Sequence, residues 1–394
     1  MRGILPFLVV LVAIAFLTKV DLFFYLVYAL FGIYFLGRLW ARRSLAAVDL
    51  YRQHDRRVFL GQSFPVEVKV ANKGWLPVLW LRLGDTAPGE LVMGGAFRQV
   101  ISLRPRERLE LSYTLHGRRR GYYRFGPLLT LGGDLLGTRT YERRCDEDDF
   151  VIVYPRIVAL RELGFPSQSP SGTLPSQQRL FEDPSRIQGV REYQPGDSLR
   201  RMDWKTSARV GSLQVRRFEP SIALETAIFL NLAGDDYPVR SRYSATELGI
   251  VVAASVATHL IEKRQAVGLA TNGRDPLSDA TPSFPLRKGR EHLMHMLDLL
   301  ARIEVASETE PLPFLDLVNR ESLGLPWGST VVMVTAKEVE NMLGVMLGLR
   351  RRGLSIILAL LCPGHEFALT VQKADQIGVR ALRIGSEQEL DVWR

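Results

Sequence analysis

Two membrane-length apolar helices, an antiparallel β-sandwich and a doubly wound α/β domain are the fold class that this sequence predicts. Three observations lead there. The first 39 residues are dominated by two long apolar runs. From about Ala47 to Val158 the hydrophobic residues recur with a period of 2. Beyond Glu219, compact apolar runs alternate with helix-period segments, the pattern of a parallel sheet covered on both faces.

The N-terminal runs are Ile4 to Leu17 and Leu22 to Leu39, separated by Thr18-Lys19-Val20-Asp21. Each is long enough as a helix to cross a hydrocarbon layer of about 30 Å. The short connector makes residues 1–43 a transmembrane hairpin. Arg2 precedes the first run, while Arg38, Arg42 and Arg43 close the second. The excess of cations at these ends places both in the cytoplasm. Ala13-Ile14-Ala15 has the small residues of a signal-peptide cleavage site, but it lies inside the apolar run and a second run follows. The expected location is therefore the cytoplasmic membrane, with the soluble parts in the cytoplasm. Arg52, Arg56 and Arg57 are expected beside anionic lipid.

Residues 47–158 form the sandwich. Phe64 to Val70 alternates apolar with polar, so one face is buried and the other wet. Further strands are expected at Leu76–Leu83, Val100–Leu103, Leu109–Leu115, Gly121–Phe125, Leu128–Leu131 and Phe150–Tyr154. Arg118-Arg119-Arg120 reads as a solvated hairpin tip rather than a phosphate site. Residues 159–188 form a linker, clearest at Gly164 to Gln178, where Ser, Pro, Gln and Gly dominate.

The α/β domain occupies residues 220–394. Strands are expected at Thr226–Leu232, Ala266–Thr271, Thr330–Thr335, Ser355–Leu361 and Val379–Ile384. Helices are expected at Thr246–Arg264, Arg290–Ile303, Leu315–Ser322, Glu338–Arg352 and Phe367–Ile377.

Composition excludes some functions. Hydrophobic residues are 46% and charged ones 24% of the chain, which excludes global disorder. The net charge of +9 favours acidic partners: nucleic acid, anionic lipid or an acidic protein face. Cys145 and Cys362 stand far apart without ligand spacing and read as inert thiols of a reducing compartment. No GxxxxGK[ST] run, no GxGxxG after a strand and no Gly-x-Ser-x-Gly elbow occurs. His292 and His295 share a helix face at i, i+3, yet no carboxylate or Cys neighbour completes a metal site; both read as solvated.

The stretch from Gly189 to Glu219 carries seven basic and four acidic residues around Tyr193 and Trp204. Pro195-Gly196 is a turn pair, Asp197 or Ser198 can cap a helix, and the helix is expected from about Leu199 to Arg209, ending near Gly211. A strand follows from Leu213 to Phe218. Trp204 either fills a gap in the core or belongs to an arginine-rich docking surface. The candidates for that surface or its scaffold are Arg191, Tyr193, Gly196, Asp197, Arg201, Trp204, Ser207 and Arg209. Asp197 and Asp203 form a conceivable acid/base pair, but Arg200, Arg201 and Lys205 around them favour structural ion pairs.

The run Arg191-Glu192-Tyr193-Gln194-Pro195-Gly196-Asp197, then Arg200 to Lys205 and Ser207-Ala208-Arg209, resembles the signature of a bacterial and archaeal family known as domain of unknown function 58. Asn72 through Trp80, Arg120 to Tyr123 and Val153 to Arg156 fit the same family. Gly133 to Gly137 resembles its Asp-Pro-Phe-Gly turn, with leucine in place of the proline. The resemblance implies a von Willebrand factor A-like α/β domain and cooperation with a MoxR-type AAA+ ATPase, since such genes commonly sit beside one. In metal-binding A domains an Asp-x-Ser-x-Ser run follows the first strand and supplies oxygen ligands. Here those positions read Asn231, Ala233 and Asp235, and Ala336 stands after the later strand where an aspartate is frequent. The expectation is a degenerate site, no cofactor and no resident metal; a weak cation site at Asp235 and Asp236 is the alternative.

The expected function is thus a non-enzymatic, membrane-anchored adaptor that helps assemble or mature protein complexes, binding no specific nucleic acid. A basic surface for lipid or nucleic acid is the alternative, and a membrane-associated hydrolase a more remote one.

Overall fold

The computed structural model describes residues 10–14, 16–17, 20–93, 95–134, 140–145, 149–160, 182–194, 202–220, 225–278, 281–306, 312–336, 342–361 and 367–392. The chain divides into two compact units. The first is Met1–Arg156 with Leu297–Ile303, and the second is Ile157–Met296 with Glu304–Arg394.

In the first unit, α1 (Asp21–Ala46) is one continuous helix, so the second apolar run continues past Leu39. Of the first run, residues 10–14 and 16–17 are helical; its remainder lies outside the described residues. Only Ala41 and Ser44 of α1 are buried. Its last turn sits on the β domain so closely that a Cβ at Gly132 would come within 2.5 Å of Leu45. A side chain at that position would have to push Leu45 aside.

Ten strands follow. β1 (Val48–His54), β3 (Ser63–Asn72) and β6 (Arg108–His116) form an antiparallel sheet in the order β1-β3-β6. β4 (Val78–Asp85), β5 (Arg98–Leu103), β8 (Leu128–Gly133) and β9 (Thr140–Cys145) form a second, in the order β5-β4-β8-β9. β2 (Arg57–Phe59), β7 (Gly121–Arg124) and β10 (Phe150–Tyr154) make a third, small sheet. Val68 and Val70 of the first sheet share one core with Leu81, Leu83 and Leu103 of the second. The two inner faces therefore pack on each other, as alternating side chains require.

Two expectations need correction here. Arg52 does not lie at a lipid surface: it is 5% exposed, with Nη2 2.6 Å from Oδ1 of Asp85 and Nε 3.0 Å from Oδ2. Tyr113 donates to the same carboxylate. Alternation points Arg52 inward from β1, and only a buried counter-charge makes that tolerable. Arg120 is no solvated tip: its guanidinium donates to the carbonyls of Leu300, Ala301 and Ile303 at 3.2, 3.3 and 2.9 Å, where the last carbonyls of a helix need donors.

In the second unit, β13 (Glu225–Leu230), β14 (Ala266–Thr271), β15 (Ser283–Arg287), β16 (Thr330–Thr335), β17 (Ser355–Leu361) and β18 (Arg380–Ile384) form one sheet, ordered β15-β14-β13-β16-β17-β18. All neighbours are parallel except β15, which is antiparallel to β14. Along β13, Phe229 packs toward α5 (Phe314–Ser322) and α6 (Leu343–Arg351) in one core cluster. The opposite face meets α3 (Arg242–Glu262): a Cβ at Gly249 would lie 3.2 Å from Leu230 and 3.7 Å from Val334. Helix α3 is long and apolar enough to cross a membrane, but 78% of its apolar window is buried inside the unit. It is a core helix. α4 (Arg290–Arg302), whose end from Leu297 belongs to the first unit, and α7 (Phe367–Gln376) are further described helices.

Chain order reverses between β13 and β16, so their carboxyl ends flank a switch-point crevice, the usual ligand position in such sheets.

Candidate functional site

The family-like stretch folds as an elbow. β11 (Glu182–Glu192) pairs antiparallel with β12 (Gln214–Pro220), bringing Arg191 opposite Val215 and Glu192 opposite Gln214. β11 starts at Glu182, inside the stretch whose composition suggested a linker. Between the strands lies α2 (Trp204–Val210). This helix is shorter than expected and begins later, because Met202 is bridged to Val215 and so is not helical. The cap is Asp203, whose Oδ1 accepts the Thr206 N–H at 3.0 Å. Gly211 ends the helix with φ of 78° and returns its N–H to the Ser207 carbonyl, the left-handed stop for which glycine is suited.

The interior of the elbow is small and fully bonded. Met202, Ser207, Gln214 and Val215 are all buried. The Ser207 hydroxyl donates to the Asp203 carbonyl at 2.7 Å and accepts the Gln214 N–H at 2.8 Å. Tyr193, half-buried, gives its N–H to the Leu213 carbonyl at 2.9 Å. Asp203 also accepts from Arg216 Nε at 3.2 Å. The Thr206 N–H, and then Arg216, hold its carboxyl below the usual carboxylate range.

The outside of the elbow is different. Trp204 is 66% exposed, with Val210 and Leu213 also exposed. Trp204 does not fill a core gap. Trp204 and Ala208 share one stripe of the helix at i, i+4, and Lys205 and Arg209 share the next; all four are exposed. Arg191 and Arg216 are exposed on the adjoining strands. The described elbow thus combines one exposed tryptophan with cations on a scaffold fixed by caps and backbone bonds. Of the candidate residues, Ser207 is scaffold, while Arg191, Trp204 and Arg209 face outward. Gly196, Asp197 and Arg201 lie outside the described residues, as does the expected cap at Asp197 or Ser198. Sequence reasoning assigned no role to Gln214 or Met202; Gln214 and Val215 are buried in succession, so no period-2 pattern marked them.

The second place is the crevice. Asn231 is fully buried at the end of β13. Its amide nitrogen donates to Asp236 Oδ2 at 2.8 Å and to Thr335 Oγ1 at 2.9 Å. Its amide oxygen accepts from the Ala233 N–H at 3.1 Å and from Asn272 Nδ2 at 3.0 Å. Asn272 in turn accepts the Leu232 N–H at 2.7 Å. Two donor hydrogens and two acceptor positions of Asn231 are therefore all used. Asp235, expected in a serine's place, instead points outward: its side chain is 69% exposed and lies 3.6 Å from Arg242. Asn272 and Thr335 are the residues that sequence reasoning missed; they lie 41 and 104 residues from Asn231 in the chain, so no spacing could have joined them to it.

An oxygen-lined cation pocket is not what this donor set offers. An N–H₂ group lies between the carboxylate and the hydroxyl, and hard cations need oxygen there. His292 is buried, not solvated: its Nε2 lies 2.9 Å from the Val267 carbonyl and its ring meets Phe284 edge-on. His295 is exposed. Among the described residues no group of three or more His, Cys, Asp and Glu gathers. Cys145 is a free thiol, and Cys362 lies outside the described residues.

Residues 189–326 match the family described as "Protein of unknown function DUF58". The match covers the elbow, the crevice end of β13 and the sheet as far as α5. The chain is also 27% identical over 329 residues to the "Uncharacterized protein YeaD" of Bacillus subtilis (strain 168), covering 81% of this chain and 78% of that one. Among solved structures, a fragment of Escherichia coli alpha-2-macroglobulin has a TM-score of 0.25 at 18% identity, over 29% of this chain and 17% of its own length. A CARDB domain from Pyrococcus furiosus has a TM-score of 0.20 at 19% identity, over 27% of this chain and 91% of its own. Neither likeness bears on fold or function.

Proposed function

We propose that this chain is a membrane-anchored adaptor, not an enzyme, and that it docks a protein partner through the outer face of the α2 elbow. The N-terminal hairpin anchors it, with both ends and the soluble units in the cytoplasm. The β domain is a sandwich, and the second unit is a von Willebrand factor A-like domain. The parallel sheet, its helices on both faces and its switch-point crevice support that last assignment. The partner is a MoxR-type AAA+ ATPase, as the family resemblance implies, and the pair assembles or matures protein complexes.

One observation carries this reading. A tryptophan stands 66% exposed on a helix whose every anchor is internal, beside Lys205 and Arg209. Exposing Trp has a hydration cost that a free surface does not recover, and Trp and Arg are the residue types that dominate binding hot spots. The crevice, where this fold class usually binds ligands, is occupied by the protein's own amides, which leaves recognition to the elbow. Co-purification of the full chain with a MoxR-type ATPase from the same organism tests this. Trp204→Ala or Arg209→Ala should each weaken capture by about 2 kcal/mol or more, roughly thirtyfold in affinity. Equal capture by both variants contradicts it.

A further inference from the structure

We infer that the foot of α1 holds a binding site for one anionic phospholipid, between the last helical turn and the β domain. This rests on the reading of α1 as a membrane span. No residue from Asp21 to Trp40 is buried, a stretch of about 30 Å at 1.5 Å per residue, the thickness of a hydrocarbon layer. The membrane boundary then falls at Trp40. Its indole N–H donates to the Pro77 carbonyl at 3.1 Å, and Trp75, in the same loop, is 74% exposed. Tryptophans concentrate at such boundaries, where an apolar ring and a polar N–H are both accommodated.

One turn further lies a cavity of about 180 Å³. Leu45, Val48 and Leu81 give it an apolar wall, and Arg42, Tyr141 and Arg143 also line it. Both arginines are exposed; Arg143 gives Nη1 to the Val48 carbonyl at 2.8 Å, which fixes its guanidinium at the cavity wall and leaves that group further N–H donors. The Tyr141 hydroxyl is buried and has no hydrogen-bond partner among the described residues. Leaving a buried hydroxyl unpaired costs about 1–3 kcal/mol, so a ligand oxygen there has a physical reason to bind.

The chemistry identifies the occupant. An apolar wall accepts the first part of an acyl chain. Two guanidinium groups favour a phosphate, which arginine binds with parallel N–H bonds. Only a molecule with both parts, presented at the membrane boundary, uses the whole site. Basic pockets at this depth bind anionic headgroups in the same way.

The full chain, reconstituted in nanodiscs of phosphatidylcholine with a minority of phosphatidylglycerol, is re-extracted in mild detergent and its retained lipid counted by native mass spectrometry. About one phosphatidylglycerol per chain should remain. Its retention should fall on the order of tenfold in Arg42→Gln/Arg143→Gln and in Ala46→Phe, which fills the cavity without touching a charge. Tyr141→Phe should also weaken retention, although loss of an unpaired hydroxyl alone leaves stability equal or higher. Millimolar inorganic phosphate should not displace the lipid. Equal retention of the two lipids, retention unchanged in Ala46→Phe, or displacement by phosphate overturns the site. Alkaline carbonate extraction separates the two readings. Wild-type protein that stays in the membrane but keeps no lipid sinks the site alone, and protein released by carbonate sinks the span together with the site.

Discussion

The hydroxyl of Ser207 lies 2.8 Å from the backbone nitrogen of Gln214, and that contact ties the short helix α2 to the strand that follows it. A seven-residue helix is too short to persist alone. It holds its shape because its cap, its left-handed stop and this internal hydroxyl each satisfy a backbone group.

Ser207→Ala removes the acceptor and leaves the Gln214 N–H buried without it. The elbow should lose about 1–3 kcal/mol of local stability. Hydrogen-exchange protection across residues 203–216 should drop, while protection of β16 and β17 stays unchanged.

Asp203 sets a pH dependence. Its folded carboxyl titrates below its ordinary value because of the Thr206 N–H and Arg216. The ionised cap therefore contributes stability above the usual carboxylate range, and that contribution is lost as pH falls through the lower, folded value. Protection factors of Thr206 and Ser207 should be flat from pH 7 down to about 4.5 and fall below about 4. Asp203→Asn keeps a capping oxygen but cannot ionise, so its protection should be lower at pH 7 and independent of acid.

The amide of Asn231 supports a test of the crevice. Asn231→Asp places a second carboxylate against Asp236 and removes both donor hydrogens. Its Tm should fall by several degrees in chelator, about 1–3 kcal/mol, and millimolar magnesium or manganese should restore most of the loss. The wild-type Tm should not respond to either ion. An equal response in both proteins contradicts the reading of the amide as a substitute for the cation.

Buried charge dominates the β domain. Burial pushes the Asp85 carboxyl up, while Arg52 and the Tyr113 hydroxyl pull it down. Asp85→Ala strands the Arg52 guanidinium and should cost about 3–5 kcal/mol in denaturant titrations that follow this unit. Arg52→Met together with Asp85→Leu should recover most of that loss, since neither charge is then left alone.

The sequence was most legible where strands are buried on both faces. Ala266–Thr271, Thr330–Thr335 and Ser355–Leu361 are strands at the expected bounds, because a parallel strand in mid-sheet is a closed apolar run with polar ends. Five strands escaped notice: β1, β2, β9, β11 and β15. Thr140–Cys145 and Ser283–Arg287 are edge strands with little buried surface, so their sequences carry almost no pattern. In β1 an inward arginine breaks the alternation, and the counter-charge that explains it is 33 residues away. The cap of α2 was misplaced for a related reason. Asp197, Ser198 and Asp203 are equally plausible caps by residue type, and only the pairing of Met202 with Val215 decides among them. At the crevice, a one-residue difference in a tight turn exchanged Asp235 for Asp236.

Photo-crosslinking in intact membranes tests the docking elbow most directly. Benzoylphenylalanine at position 204 should capture the MoxR-type ATPase as a single adduct, and the same probe at Leu347, exposed elsewhere on the same unit, should not. Equal capture at both positions, or none at 204 with the folded protein present, would contradict a partner surface centred on Trp204.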